Sequence, residues 1–472
     1  MVGFRRQMRL LALLAALILG LSACAHVPVV NERQLLQEAA GTQSIRVYGT
    51  KGPLSARQAR KALARIAAQA PNADALDRHL AVEQIIAQGP LYAGNSVRVL
   101  QDGSATFPAM FDAIAGAKHV LDLEYYIFQD VQSGGRDLGD LLVQKSQSGV
   151  HVRVIYDAVG SLGTPASFYD KLRAGGVQLL QYNPINPLKA LWHYSPNDRD
   201  HRKILVADDE IGIVGGVNLS TDYESAPSLS PGITPKKPPP GGHPVWHDTD
   251  LEIQGPVVPE LSALFRAHWR EQKGPPLEQP ASPPATRAAG KQIVRVIGSS
   301  PSKLATRYYT TVLTAIRTAQ SSVWLTAAYF VPTHAELRAL KQAAQRGIDV
   351  RVILPSQTDE PEVLAVQRSY YAGLLRSGIK VYERRTGVMH SKTMVVDGVW
   401  SLVGSSNFDQ RSVLFNDEVD VIVLGNEAAD QLRKGMMADM QHARRIDWKF
   451  VRRQGIGEHL KAWFWRLWQK LL

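Results

Sequence analysis

The sequence predicts an α/β protein made of two copies of one unit. Short β-branched and aromatic runs alternate with segments of helical period, as in α/β chains. These runs come in two sets separated by proline-rich sequence. A polar motif of the first set recurs in the second at a fixed shift of 189 residues, from His201 to His390. With 472 residues, 45% of them apolar and 21% charged, the chain can bury two sizeable cores and is not disordered.

The amino end comes first. Arg5, Arg6 and Arg9 precede an apolar run from Leu10 to Leu19, followed by Leu21-Ser22-Ala23-Cys24. A basic start, a short apolar stretch and small residues before a cut site describe a secretory signal. Leu-Ser-Ala-Cys resembles a lipobox, so residues 1–23 are expected to be removed and Cys24 to carry acyl chains at the bacterial cell envelope, on the periplasmic face of one of its membranes. Cys24 is the single cysteine, which excludes an internal disulfide and a cysteine-based zinc site. The net charge of +11, or +8 without residues 1–23, favours an anionic partner such as a phospholipid surface or a nucleic acid.

Residues 24–80 are rich in Ala, Gln and Arg with helical spacing, as in Ala56 to Ala70, and read as a helical lead-in without chemistry. The first unit, 81–274, has strand runs at Val120–Phe128, Val150–Tyr156 and Val177–Tyr182. Residues 275–291 form a linker, and the second unit, 292–447, has runs at Val323–Val331, Ile348–Leu354 and Ile379–Tyr382. Pro227 to Pro244 contains seven prolines and Pro275 to Pro284 five, a composition that neither packs nor pairs. His201-Arg202-Lys203 through Asp208 recurs as His390-Ser391-Lys392 through Asp397, and Val214 to Asn218 recurs as Val403 to Asn407. Asp248 and Asp250 match Glu418 and Asp420 at a shift of 170, which is 19 residues less. The first unit is therefore the second plus an insertion near 225–245, either a lid over the site or a surface loop.

Residues i and i+2 of a strand share a face, so His201 lies beside Lys203 and His390 beside Lys392. A neutral imidazole next to an ammonium suits a phosphate: the amine neutralises phosphoryl oxygens while the imidazole attacks or carries a proton. Asp208 and Asp397 complete the motifs, but their odd spacing turns them from the reacting face towards a role in the fold. Asn218 and Asn407 are candidate donors to the same oxygens. Asp248 and Glu418 are candidates to hold each imidazole by Nδ1–H.

Two His-x-Lys-x-x-x-x-Asp copies, each followed by Gly-x-x-Asn, resemble the phospholipase D superfamily from about Leu80 to the carboxyl end. The closer likeness is to bacterial cardiolipin synthases. It is carried by Tyr125-Tyr126-Ile127, Asn197 to Lys203, Val214 to Asn218, His247-Asp248-Thr249, Gly404 to Ser412, Asn416 and Glu418. The resemblance implies two α/β lobes about a pseudo-twofold, one active site at their interface, a covalent phosphohistidine and no metal or other cofactor. By family habit His201 is the nucleophile and His390 the acid/base, with Lys203, Lys392, Asn218 and Asn407 on phosphate. The implied partners are a phospholipid membrane, phosphatidylglycerol and, as a further donor, phosphatidylethanolamine; one chain completes the site, so a monomer suffices. Family members of the longest type begin with two membrane spans. This chain shows none, and an acyl anchor would replace them. Two other readings share the catalytic residues: a phospholipase D hydrolase that uses water, and a secreted endonuclease. The second is disfavoured because no basic and aromatic residues interleave along a groove.

The tail, 448–472, closes the chain. Leu460, Trp463, Phe464, Leu467, Trp468, Leu471 and Leu472 fall on one helical stripe beside Lys461, Arg466 and Lys470, with Trp465 at its edge. The pattern fits an interfacial membrane helix, or a helix that packs its stripe on the core.

Overall fold

The computed structural model describes residues 46–68, 79–80, 89–184, 195, 197–223, 246–277, 287–301 and 307–470. The Cys24 segment and the 225–245 insertion lie outside these residues. The first lobe has seven principal strands: β1 (Leu91–Gln101), β2 (Val120–Tyr125), β3 (His151–Asp157), β4 (Gln178–Tyr182), β5 (Lys203–Ala207), β6 (Ile211–Gly215) and β7 (Thr249–Gln254). They are ordered β4-β3-β2-β5-β6-β7-β1, with β2, β3 and β4 parallel and the remaining pairs antiparallel. The second lobe repeats this order with β8 (Gln292–Ser299), β9 (Ser322–Thr326), β10 (Asp349–Pro355), β11 (Lys380–Arg384), β12 (Thr393–Val396), β13 (Trp400–Gly404) and β14 (Asn416–Leu424). Its order is β11-β10-β9-β12-β13-β14-β8. Helices cross over between the parallel strands, as such connections require.

Alternation along the strands decides which face each residue buries. In β5, Leu205 and Ala207 join the first lobe's own core. Ile204 and Val206 point the other way, into a core shared with Val395, Val403, Val419 and Val421 of the second lobe. In β12, Met394 and Val396 face the second lobe's own core. Each such Val or Ile contributes about 1.5–3 kcal/mol as an upper figure, so the two sheets are held face to face by apolar burial. β1 links the sheets edge to edge, pairing with β7 beyond Ser96 and with β8 before it. Gly94 is the extra residue where the register against β8 shifts, between Asn95 and Ala93, and its φ of +99° is easy for glycine alone.

The lead-in differs from its helical expectation. The helix Ala56–Ala67 is present, started by a Ser55/Gln58 capping box and burying Ala59, Leu63 and Ile66. Ahead of it, however, Val47–Gly49 is a strand, and Val47 and Tyr48 pair in parallel with Leu91 and Tyr92. Three residues with one β-branched position carry too little periodicity to announce a strand; the open edge of β1 recruits them.

Candidate active site

Two short cross-lobe pairings place the histidines. Arg199–Asp200 runs parallel to Asn416–Asp417 at the start of β14, and the His201 N–H donates to the Asp417 carbonyl at 2.9 Å. In the other half, Val388–Met389 runs parallel to Trp246–His247, and the His390 N–H donates to the His247 carbonyl at 2.7 Å. Each histidine thus sits just before its strand, β5 or β12, in extended chain that keeps the i, i+2 alternation. Lys203 and Lys392 turn back on their own histidines: Lys203 Nζ donates to the His201 carbonyl at 2.7 Å, and Lys392 Nζ lies 2.8 Å from His390 Nδ1.

The pairings also cross the carboxylates between lobes. Glu418 of the second lobe meets His201 Nδ1 at 3.0 Å, and Asp248 of the first meets His390 Nδ1 at 2.7 Å. Both imidazoles are held at Nδ1, which leaves His201 Nε2 for chemistry, while His390 Nε2 lies 3.1 Å from Lys392 Nζ. Ser405 and Asn416 bond Glu418 in turn. His201 and His390 line one cavity of about 370 Å³, together with Asn218 and Asn407. Asn218 Oδ1 accepts from the Ile127 N–H at 3.2 Å, whereas Asn407 Oδ1 is buried without a hydrogen-bond partner among the described residues. The Tyr126 ring meets His201 edge-on at 5.3 Å, while Trp246 and Tyr329 flank His390 at 4.9 and 6.1 Å.

Asp208 and Asp397 lie at the far ends of β5 and β12, away from this cavity. Asp208 accepts the N–H groups of Lys118, His119 and Val120 ahead of β2. Asp397 accepts those of Gln320, Ser321 and Ser322 ahead of β9, and its other oxygen meets His79 Nε2 at 3.1 Å. Both residues have positive φ, +55° and +53°, and each locks a hairpin turn to the entry of a neighbouring strand. Distance and parity both remove them from the reacting atoms, so their motif position is structural.

A glycine inside the first Gly-x-x-Asn segment makes room for Asp248. A Cβ on Gly216 would come within 2.1 Å of Asp248 Oδ1. At the equivalent position of the second lobe, Ser405 instead donates its hydroxyl to Glu418. We expect Gly216→Ala to push Asp248 off His390 and lower kcat about a hundredfold, with circular dichroism unchanged; activity within a factor of three of the parent would remove this role.

Burial sets the protonation states. His201 is held well below its ordinary pKa by desolvation and then by Lys203 and Lys392. His390 is lowered by burial and Lys392, but Asp248 opposes the shift. Lys203 is pulled down to about 7 by burial, and burial pushes Glu418 up to about 7 against the pull of Lys203. Behind His201, Glu124, Asp200 and His268 approach one another at ligand distance. The cation of this group is Arg202, bonded to Glu124 at 3.2 Å and Asp417 at 3.3 Å, so the residues form an ion-pair network around a guanidinium.

Several cavity residues had no assigned role in the sequence: Arg199, Arg411, Trp246, Tyr329, Asp359 and Glu360. Tyr126, Tyr329 and Asp359 follow β2, β9 and β10, at the carboxyl ends of parallel strands where α/β sheets bind ligands, and that rule is the signal that finds them. Arg199 is buried, with Nη1 3.5 Å from Asp157, and its Nε and Nη1 make no hydrogen bond among the described residues.

With this geometry in place, known proteins sharpen the picture. The family model described as "Cardiolipin synthase, PLD-like domain" matches residues 110–225 and 312–440. Cardiolipin synthase of Halalkalibacterium halodurans is 33% identical over 384 residues, 81% of this chain and 72% of that protein. Cardiolipin synthase A of Pseudomonas aeruginosa is 35% identical over 353 residues, 74% of this chain and 68% of that protein. The chain belongs to the cardiolipin synthase family of phospholipase D-like proteins. The two matched segments carry the two His/Lys pairs of this family member, while Asp248 falls between them. The phosphatidylserine synthase of Haemophilus influenzae shares the fold, with a TM-score of 0.59 at 14% identity over 83% of this chain and 99% of that one.

Proposed function

We propose that this chain is a phosphatidyltransferase that forms cardiolipin and glycerol from two phosphatidylglycerols, held at the cell envelope by acyl chains on Cys24. The observation that carries the reading is the pair of histidines, each fixed at Nδ1 by the other lobe's carboxylate and backed by its own buried lysine, facing one cavity. His201 Nε2 attacks the donor phosphorus; the bond to the glycerol oxygen breaks, and His390 gives that oxygen its proton. His390 then takes the proton of the acceptor's hydroxyl, whose oxygen attacks phosphorus as the P–N bond breaks. Two displacements retain configuration. Lys203, Lys392 and the Asn218 and Asn407 amides neutralise the phosphoryl oxygens. The two halves are not equivalent electrically. His201 is the more strongly deprotonated, which suits the nucleophile, while Asp248 sustains the proton affinity that an acid/base needs.

Two measurements test this reading. Incubating the full chain with phosphatidylglycerol vesicles should yield cardiolipin by mass spectrometry. Phosphatidic acid alone would make the chain a hydrolase, and no lipid turnover by folded protein would overturn the lipid reading. The second is a pH profile. His201 must be unprotonated, and its pKa lies well below 6.5, so the acid limb of kcat/KM falls below that value. Lys203 is charged only below about 7, so phosphate binding by the free enzyme weakens as pH rises through that point. Two groups shape the expected alkaline limb, the His390 proton, whose pKa burial also lowers, and the Lys203 charge, and only the second loss is relieved in Lys203→Arg, whose guanidinium keeps its charge. A parent profile flat from neutrality well into the alkaline range would contradict it.

A further inference from the structure

The tail helix has turned its apolar stripe outward. Helix α2 (Ile456–Arg466) follows the helix Trp448–Arg453 and packs against helix α1 (Pro361–Ser369). Its inward face is small: Ala462 is buried, and Trp465 packs on the second lobe's core. Just beyond it, Gln469 accepts from the Tyr370 hydroxyl at 3.2 Å and Arg466 lies 5.0 Å over the Tyr370 ring. Outside are Ile456, Leu460, Trp463, Phe464 and Leu467, at 81, 61, 64, 48 and 65% exposure. Their spacing of four, three, one and three residues makes one continuous ridge. Two large aromatic and three aliphatic side chains in a row are far more than a soluble surface leaves open without a partner.

The charge around the ridge identifies that partner. From Arg444 to Lys470 there are eight Lys or Arg residues against Asp447 and Glu458. Beside α2 runs a groove of about 460 Å³ whose walls carry Arg445, Lys449 and Arg453 and the Glu383-paired Arg368 and Arg444, against Asp447 and Glu458. An apolar ridge with tryptophan, bordered by cations, is complementary to the acyl boundary and phosphate plane of an anionic bilayer. A protein partner of ordinary composition would not need so many cations.

We infer that α2 is a docking surface that seats the enzyme on anionic phospholipid bilayers, with the Ile456–Leu467 ridge in the acyl boundary and the Arg445–Lys449–Arg453 groove on headgroup phosphates. This goes beyond the transferase reading, because it concerns where lipid is met and not how it reacts. The link to the cavity is direct: α1 places Glu362 and Val363 in the catalytic cavity's wall, and Leu364 and Ala365 against α2. One helix separates the docking ridge from the reacting site, so substrate enters close to the membrane plane.

The test uses the full chain with Leu460, Trp463, Phe464 and Leu467, all exposed, changed to Ser. Hydrogen exchange of residues 456–467 should slow when phosphatidylglycerol vesicles are added to the parent, and not in the variant; local exchange is read independently of any amino-terminal anchor. Turnover of vesicle phosphatidylglycerol should fall about tenfold or more, while turnover of short-chain phosphatidylglycerol below its micellar concentration stays unchanged. No protection, or equal protection by neutral phosphatidylcholine vesicles, overturns the proposal. So does lipid-independent protection that grows with protein concentration, which would assign the ridge to a second copy. If the parent fails to turn over the short-chain lipid, the transferase reading fails separately, and the exchange result still decides the docking surface.

Discussion

Alanine at His201 is expected to lower kcat for cardiolipin formation by about 10⁴-fold or more, and alanine at His390 by a comparable factor, yet the two variants should fail at different steps. His201 makes the bond to phosphorus. Without it no covalent intermediate forms, whatever the leaving group. His390 only moves protons. A donor whose leaving group needs no proton, such as a phosphatidyl p-nitrophenyl ester, should still phosphorylate His201 in His390→Ala. The adduct then accumulates, because the acceptor hydroxyl has lost its base. Intact-protein mass spectrometry should find an acid-labile phosphatidyl adduct on His390→Ala and none on His201→Ala. Substantial cardiolipin formation by either variant would defeat a site shared between lobes. An adduct on His201→Ala alone would exchange the two roles. The cavity is asymmetric: burial and then two lysines strip His201 of its proton, whereas His390 has Asp248 at 2.7 Å and the Tyr223 hydroxyl at 3.0 Å beside Nδ1.

The fixed shift between His201 and His390 made the duplicated lobes, both lysines and both asparagines legible without coordinates, because duplication preserves spacing whatever the fold. Alternation was informative for the same reason, since it depends only on extended chain, and it held even though His201 and His390 precede β5 and β12. What the sequence could not carry is contact between segments far apart in the chain. Nothing local says that Glu418 serves His201 and Asp248 serves His390; that follows from Arg199–Asp200 pairing with Asn416–Asp417, more than two hundred residues away, and from Trp246–His247 pairing with Val388–Met389. Nor does a Gly-Gly pair announce that Gly216 leaves space for Asp248 Oδ1, when glycine has so many other uses. The apolar stripe from Leu460 to Leu467 was visible as periodicity, but its direction was not. Ala462 and Trp465 against α1 and the second lobe's core decide that, and those partners lie about a hundred residues upstream.

The crossing of carboxylates gives the sharpest test of the interface. Asp248→Asn and Glu418→Gln keep shape and lose charge, and each should lower kcat about 10²–10⁴-fold by freeing an imidazole's tautomer and orientation. They should do so in different halves of the cycle. Asp248 is the strongest of the groups that raise His390's proton affinity, so Asp248→Asn weakens the acid/base and should behave like His390→Ala. With the p-nitrophenyl donor it should show a fast burst of p-nitrophenolate and a trapped adduct. Glu418 bonds His201 Nδ1 through both of its oxygens, at 3.0 and 3.1 Å, so Glu418→Gln weakens the nucleophile and should abolish the burst. A pairing confined within each lobe demands the reverse, with the burst lost in Asp248→Asn and kept in Glu418→Gln. Because both variants leave the two histidines and two lysines in place, stopped-flow release of p-nitrophenolate reads only which imidazole has lost its partner. A site completed across the lobes should therefore show the burst in the variant of the first lobe and lose it in the variant of the second.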